Sequence, residues 1–161
     1  MLLGAGTGLD LEYLKGYSNL TAIDITPGMI VKLKERATKI GVPVKAHIMD
    51  GQLLKFADNS FDAVLLHLIL AVIPDPVACI KEIERVLKPG GIVMVFDKFL
   101  PDGQKPSVFR KIANRFASTL FSDINRSIGA IISHTTLQQE LNEPAALKGT
   151  FRIVRLRKPA K

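Results

Sequence analysis

A chain of 161 residues, 47% of them hydrophobic, with 12 Gly and 9 Pro, is long enough for one domain with one core, and this composition excludes a disordered or fibrous protein. One cysteine, Cys79, has no partner for an intrachain disulfide, so a reducing, cytoplasmic setting is expected. The net charge of +7 is uneven: residues 1–97 carry 10 Lys/Arg against 11 Asp/Glu, a balance of −1, and residues 98–161 carry 12 against 4, a balance of +8. Such a basic end suits an anionic partner, a membrane surface or a nucleic acid, and equally suits plain solubility.

The opening MLLGAGTGLDLEYL reads as the end of an apolar strand, a turn on Gly4, Gly6 and Gly8, and a short helix that stops near Gly16. It has no basic leader, and acids arrive at Asp10 and Glu12, so a signal peptide is not expected. NLTAID is a buried parallel strand ending at Asp24. Thr26 then offers an N-cap, with Pro27 at the first helical position. Met29, Ile30, Leu33, Ala37 and Ile40 keep helical spacing until Gly41. VKAHIMD and AVLLHLIL are the next strands, and the longest apolar run, AVLLHLILAVIP, is too short to span a bilayer, which needs roughly 20 residues.

Asp75 and Pro76 start a helix, ACIKEIERVL, that LKPGG terminates before the strand IVMVFD. Strands alternating with helices predict an α/β fold: a doubly wound, mostly parallel sheet with helices on both faces. Beyond Asp97 the pattern changes. VFRKIANRFASTLF, within residues 107–121, is a basic amphipathic helix suited to a membrane interface or to packing on the sheet. SDINRSIGAIISH is a second helix, and TLQQELNEPA with TFRIVRLRK is an antiparallel strand pair. The chain is read as a single domain, 1–161, with residues 1–97 as a cofactor-binding half and 98–161 as a basic, substrate-side half.

GAGTG places glycines where a backbone must approach a ligand closely, beside a helix start with free amides. It is GxGxG, with Leu9 where a dinucleotide fingerprint has its last glycine, which disfavours a nicotinamide dehydrogenase. Asp24, twenty residues after Gly4, can accept hydrogen bonds from both hydroxyls of a ribose. These motifs, followed by MDGQLLKFADNSFDAVLLH and EIERVLKPGGIVMVFD, resemble the class I S-adenosylmethionine-dependent methyltransferases. Within them the chain looks most like the methyltransferase type 11, ubiquinone/menaquinone methyltransferase-like group. Through LLHLILAVIPDP and the basic segment it also resembles bacterial phosphatidylethanolamine N-methyltransferases.

That resemblance implies a Rossmann-like fold, S-adenosyl-L-methionine as cofactor, S-adenosyl-L-homocysteine as product, and no metal. It places Gly4, Ala5, Gly6 and Gly8 around the methionine part, Asp24 on the ribose, and Thr26 and Met29 in the adenosine pocket. Asp50 would take the adenine amine, with the Gly51 amide beside it, and His67 would face the methyl group and substrate. Alternatives stand beside these roles: Asp24 and Asp50 as strand-end turn residues, Met29 as core, and His67 as either a base or a satisfied strand residue. Asp97 is a further residue that could face the substrate, and His134 reads as an ordinary helix-end residue. The implied reaction is methyl transfer to a small molecule or lipid headgroup, phosphatidylethanolamine-like or quinone-like, by a cytoplasmic protein that can touch the membrane surface.

The chain departs from the family at its start, where Leu2 stands in place of an acid and the first strand and preceding helices are short or missing. Truncation is the expectation, with apolar surface that would favour a homodimer. A non-catalytic module with a weakened site is the rival reading. A nucleic-acid methyltransferase is a lesser one, because no Asn/Asp-Pro-Pro-aromatic motif follows the fourth strand and no aromatic platform accompanies the basic residues.

Overall fold

The structure is a computed structural model that describes residues 1–99 and 126–160. Seven strands form one sheet: β1 (Leu2–Leu3), β2 (Leu20–Asp24), β3 (Val44–Ile48), β4 (Phe61–His67), β5 (Leu87–Lys98), β6 (Gln138–Ala146) and β7 (Phe151–Arg157). Their order is β3-β2-β1-β4-β5-β7-β6. The first five neighbours run parallel, and β7 lies antiparallel to both β5 and β6. The expected α/β class and the terminal antiparallel pair are both present.

Alternation along the strands divides the core. Leu2 and Ala22 pair in register and turn to one face, where they join Leu11, Leu33 and Ala37. Those partners come from a 3-10 turn, Leu9–Leu14, and from α1, Pro27–Ile40. Leu3, Ile23, Leu66 and Val95 turn to the other face, where α2 (Pro76–Val86) and α3 (Ile128–Ile132) cover them with Ile80, Ile83, Ile128 and Ile131. Each fully buried side chain of this size stabilises the fold by about 1.5–3 kcal/mol. Strands so covered need apolar residues at successive positions, and Val64, Leu65 and Leu66 meet that need in β4, which ends at His67 so that the LIL expected to continue it lies beyond the strand.

The caps lie where the residue types predict them. Asp75 accepts the amides of Val77 and Ala78 at 3.0 and 2.9 Å, and Gly41 ends α1 with a left-handed φ of 70°. Thr26 caps α1 by position only, because its side chain makes no capping hydrogen bond.

LKPGG differs from the expectation. It ends α2, but strand pairing already begins at Leu87, opposite Phe61, and resumes after a bulge with Ala63 opposite Ile92. The glycines allow this. Gly90 has φ 77°, and a Cβ at Gly91 would lie 2.8 Å from both Leu87 Cγ and the Lys88 carbonyl oxygen. The basic helix expected within 107–121 lies outside the described residues, and of the second, expected over 122–134, the described residues form helix only at Ile128–Ile132. Among the described residues no helix is long and apolar enough to cross a membrane.

Candidate functional site

Parallel strands of this sheet end together on one edge, so the loops that follow β1, β2, β3 and β4 gather there. The loop after β1 contains three residues with left-handed backbone: Gly4 at φ 69°, Gly6 at 53° and Gly8 at 76°. Their reasons differ. A Cβ on Gly4 would fall 2.8 Å from Ile69 Cγ1 and Cδ1, in the corner after β4, and one on Gly8 would fall 2.9 Å from Leu33 Cγ. Gly8 therefore lets the 3-10 turn sit against α1, the packing role that the sequence had seemed to lack a glycine for. Gly6 has no heavy atom within 4 Å of its missing Cβ, so its requirement is the dihedral angle, and the space beside it is open.

The loop is tied to β2 twice. The Ala5 amide donates to the Ile23 carbonyl at 2.9 Å, and the Gly6 amide donates to Asp24 Oδ2 at 2.9 Å. Asp24 Oδ1 takes the Thr26 amide at 2.9 Å. One carboxylate thus joins the glycine loop to the start of α1 and keeps further acceptor capacity on both oxygens.

After β3, Asp50 Oδ1 accepts the Gln52 amide at 2.9 Å and the Gln52 side-chain nitrogen at 3.0 Å. The other end of the Gln52 amide accepts the Asp75 N–H at 2.8 Å, which fixes this loop to the cap of α2. Gly51 is buried, and a Cβ there would meet Leu3 Cδ2 at 2.9 Å. Beside Asp50, where β2 and β3 end, lies a cleft of about 310 Å³ lined by Ile25, Ile48, Met49, Asp50, Leu53 and Lys55. Ile25, Ile48 and Leu53 are 64%, 58% and 68% exposed, an unusual position for large apolar side chains. Met29 is 38% exposed and outside both core clusters, so its core reading is set aside. A larger cleft, about 500 Å³, runs between the 3-10 turn and α1, but charged surface side chains such as Glu12, Lys32 and Arg36 line it, and it lies off the strand ends.

His67 ends β4, one residue past the Leu3–Leu66 register pair, which brings it beside the glycine loop. Its Nδ1 is 2.9 Å from Asp10 Oδ1, and its ring meets the Phe96 ring edge-on at 5.2 Å between centroids. Leu68, the next residue, holds a left-handed φ of 57°, with its amide on the Phe96 carbonyl at 2.9 Å. A leucine in that conformation costs about 1–2 kcal/mol, and such strain gathers at functional corners.

Asp97 corrects an expectation. It does not face the substrate: it is wholly buried, accepting the Ala71 amide at 3.0 Å and the Lys98 amide at 2.7 Å. Burial pushes its carboxyl above the usual carboxylate range, opposed by these backbone hydrogen bonds. Cys79 is also buried, its thiol pushed up to about 12 by burial, which removes it as a nucleophile. His134 lies in the turn after α3, as a helix-end residue would.

The sequence reading missed Asp10, Gln52 and the exposed apolar residues Ile25, Ile48 and Leu53. Ile25 had a signal, an apolar residue directly after a strand-end acid and outside the helical stripe. Asp10 had none, because its partner is 57 residues away.

An open glycine turn, a carboxylate at the end of the next strand and a largely apolar slot that includes a second carboxylate fit a nucleoside joined to an amino acid. These residues fit S-adenosylmethionine, and the fold is that of the class I methyltransferases. Residues 1–95 match the methyltransferase domain family, and the chain belongs to it. The chain is 28% identical over 158 residues to the phosphatidylethanolamine N-methyltransferase of Cereibacter sphaeroides, covering 97% of this chain and 78% of that protein. It is 33% identical over 129 residues to a demethylmenaquinone methyltransferase of Corynebacterium glutamicum, covering 80% of this chain and 52% of that one. The chain thus spans about half the length of that second relative. Among solved structures, a SAM-dependent methyltransferase from Methanosarcina mazei superposes with a TM-score of 0.80 at 20% identity, over 99% of this chain and 92% of that one. The [4+2]-cyclase SpnF gives 0.85 at 18% identity, over 99% and 75%. A cyclase in that company shows that the fold alone does not fix the chemistry.

Proposed function

We propose that this chain transfers the methyl group of S-adenosyl-L-methionine to a small-molecule or lipid-headgroup acceptor, an amine headgroup of the phosphatidylethanolamine kind ahead of a quinone-type ring. The observation that carries the reading is the placing of His67, exposed and partnered by Asp10, at the strand end next to the Asp24-anchored glycine loop. The amine headgroup takes precedence because the similarity to the phosphatidylethanolamine enzyme runs through nearly the whole chain.

In this reading Gly4, Ala5, Gly6 and Gly8 receive the methionine portion, and Asp24 the ribose hydroxyls. Thr26 and Met29, with Ile25, Ile48 and Leu53, enclose the adenine, whose amino group meets Asp50 beside the Gly51 amide. The bound cofactor supplies a methyl group on a positively charged sulfur, a leaving group that needs no acid. What remains for the protein is alignment, which is worth about 7–11 kcal/mol as effective molarity, and removal of a proton from the acceptor. His67 is the group placed to take that proton. The whole chain acts as one domain, with substrate contacts, including those to a membrane surface, drawn from residues 98–161.

A second reading, a cofactor-binding module without turnover, is favoured by Leu2, which is buried among apolar residues where the resemblance expects an acid. Turnover with labelled S-adenosylmethionine, offered phosphatidylethanolamine vesicles and a quinone precursor, separates the two. Label in the phospholipid supports the transferase; tight cofactor binding with no label in either acceptor supports the module.

A further inference from the structure

We propose that Asp10 is a positioning residue that fixes the tautomer and orientation of His67, so that Nδ1 carries the proton and Nε2 presents its lone pair to the acceptor. This rests on the reading of His67 as the base. The two residues come from different elements, the 3-10 turn after the glycine loop and the end of β4, and meet only because β1 and β4 are neighbours.

The contact is short, 2.9 Å from Nδ1 to Oδ1. A neutral imidazole has one N–H and one bare nitrogen, and a carboxylate can only accept. Asp10 therefore places the proton on Nδ1. Among the described residues no other group hydrogen-bonds the ring, which leaves Nε2 available. Phe96 meets the ring edge-on, so the imidazole is held from one further side. Side-chain exposure falls from 41% at His67 to 22% at Asp10, the order expected if the ring fronts the open site and the carboxylate backs it.

The proton balance is simple for an amine acceptor. The ammonium gives one N–H proton to Nε2, and the imidazolium so formed is stabilised by the Asp10 carboxylate. The freed electron pair makes the new N–C bond while the C–S pair stays on sulfur, and His67 returns its proton to water. A surface ion pair of no consequence would show the same distance, since exposed pairs contribute only about 0–1 kcal/mol. The functional and incidental cases differ in what Asp10 does to the ring.

The test reads the ring directly, by nitrogen-15 imidazole spectra of the full chain at roughly pH 8.5, above the ordinary histidine range. H67A assigns the His67 signals among the three histidines. Wild type is expected to show the Nδ1–H form, D10N a mixture moved towards Nε2–H, and D10E a return to Nδ1–H. An unchanged tautomer in D10N, or Nε2–H in wild type, overturns the proposal.

Turnover on phosphatidylethanolamine vesicles supplies the second readout. H67A is expected to lose on the order of 100-fold in kcat and D10N about 10- to 100-fold, with cofactor Kd within about twofold of wild type. The double variant should fall no further than H67A, because the two act as one unit. If H67A keeps full activity, the base reading of His67 fails, and this inference with it. If H67A is impaired while D10N is not, or if D10N mainly weakens cofactor binding, the base reading stands and the role of Asp10 is refuted.

Discussion

Asp24 holds Gly6 and Thr26 at once: one carboxylate oxygen takes the amide of the glycine loop and the other takes the amide at the start of α1, each at 2.9 Å. The residue is thus a structural anchor of the loop, and the ribose role proposed for it comes in addition to that anchor. Loss of two hydrogen bonds to a charged, half-buried group costs about 2–3 kcal/mol. D24A should lower the urea midpoint by that equivalent, and D24N, which keeps one acceptor oxygen, by about half.

The three glycines of the loop are expected to separate by cause. In G8A the new Cβ must displace Leu33 and accept a left-handed φ, so a loss of about 3 kcal/mol is expected. G6A meets no neighbour and should lose only about 1–2 kcal/mol from its dihedral angle. Equilibrium unfolding of the two variants side by side checks the order.

Arg85 staples the loop between β3 and β4 to α2. Its guanidinium reaches the Leu54 and Phe56 carbonyls at 2.8 Å, Asp58 at 2.7 Å and Glu82 at 2.9 Å. The hydrogen bond from Arg85 holds the Glu82 carboxyl below its usual range. R85M should cost about 1–3 kcal/mol in urea unfolding, discounted because the group is partly exposed. It should also weaken cofactor binding severalfold, since Asp50 and Leu53 ride on that loop.

Asp97 gives stability a pH dependence of defined sign. Its carboxyl is raised by burial, so the folded chain holds a proton there more tightly than the unfolded chain. Stability contributed at this site therefore falls as pH rises from the ordinary carboxylate value, near 3.8, through the raised folded value, and stays low above it. Urea unfolding of wild type and D97N, compared between about pH 4 and pH 7, should show wild type losing ground to D97N as pH rises.

Most of the fold could be read from the residues because its signals are local. Pro27 and Gly41 bracket α1, Asp75 caps α2, and the central parallel strands β4 and β5 carry apolar runs, VLL and IVMVF. LKPGG ends α2 as expected, but the start of the next strand was not legible in it: Pro and Gly mark breaks, yet here they lie in a bulged stretch of β5 whose Leu87 already pairs with Phe61. The backbone of the loop after β1 was legible because its left-handed turns favour glycine, as at Gly4, Gly6 and Gly8. Asp97 misled because a strand-end acid looks the same whether it turns to the open edge or to the core, and side-chain direction there depends on strand parity. Asp10 and the exposed shelf of Ile25, Ile48 and Leu53 depend on which loops meet across the sheet edge, and no local pattern records that.

Titration calorimetry with S-adenosylhomocysteine bears most directly on the central claim, that the β1 to β3 strand ends form the cofactor site. The full chain should bind one equivalent, and D24A and D50A, each verified as folded by circular dichroism, should each bind at least about tenfold more weakly. Folded wild type that gives no binding heat at any temperature tested, or D24A and D50A that both bind as wild type does, would contradict it.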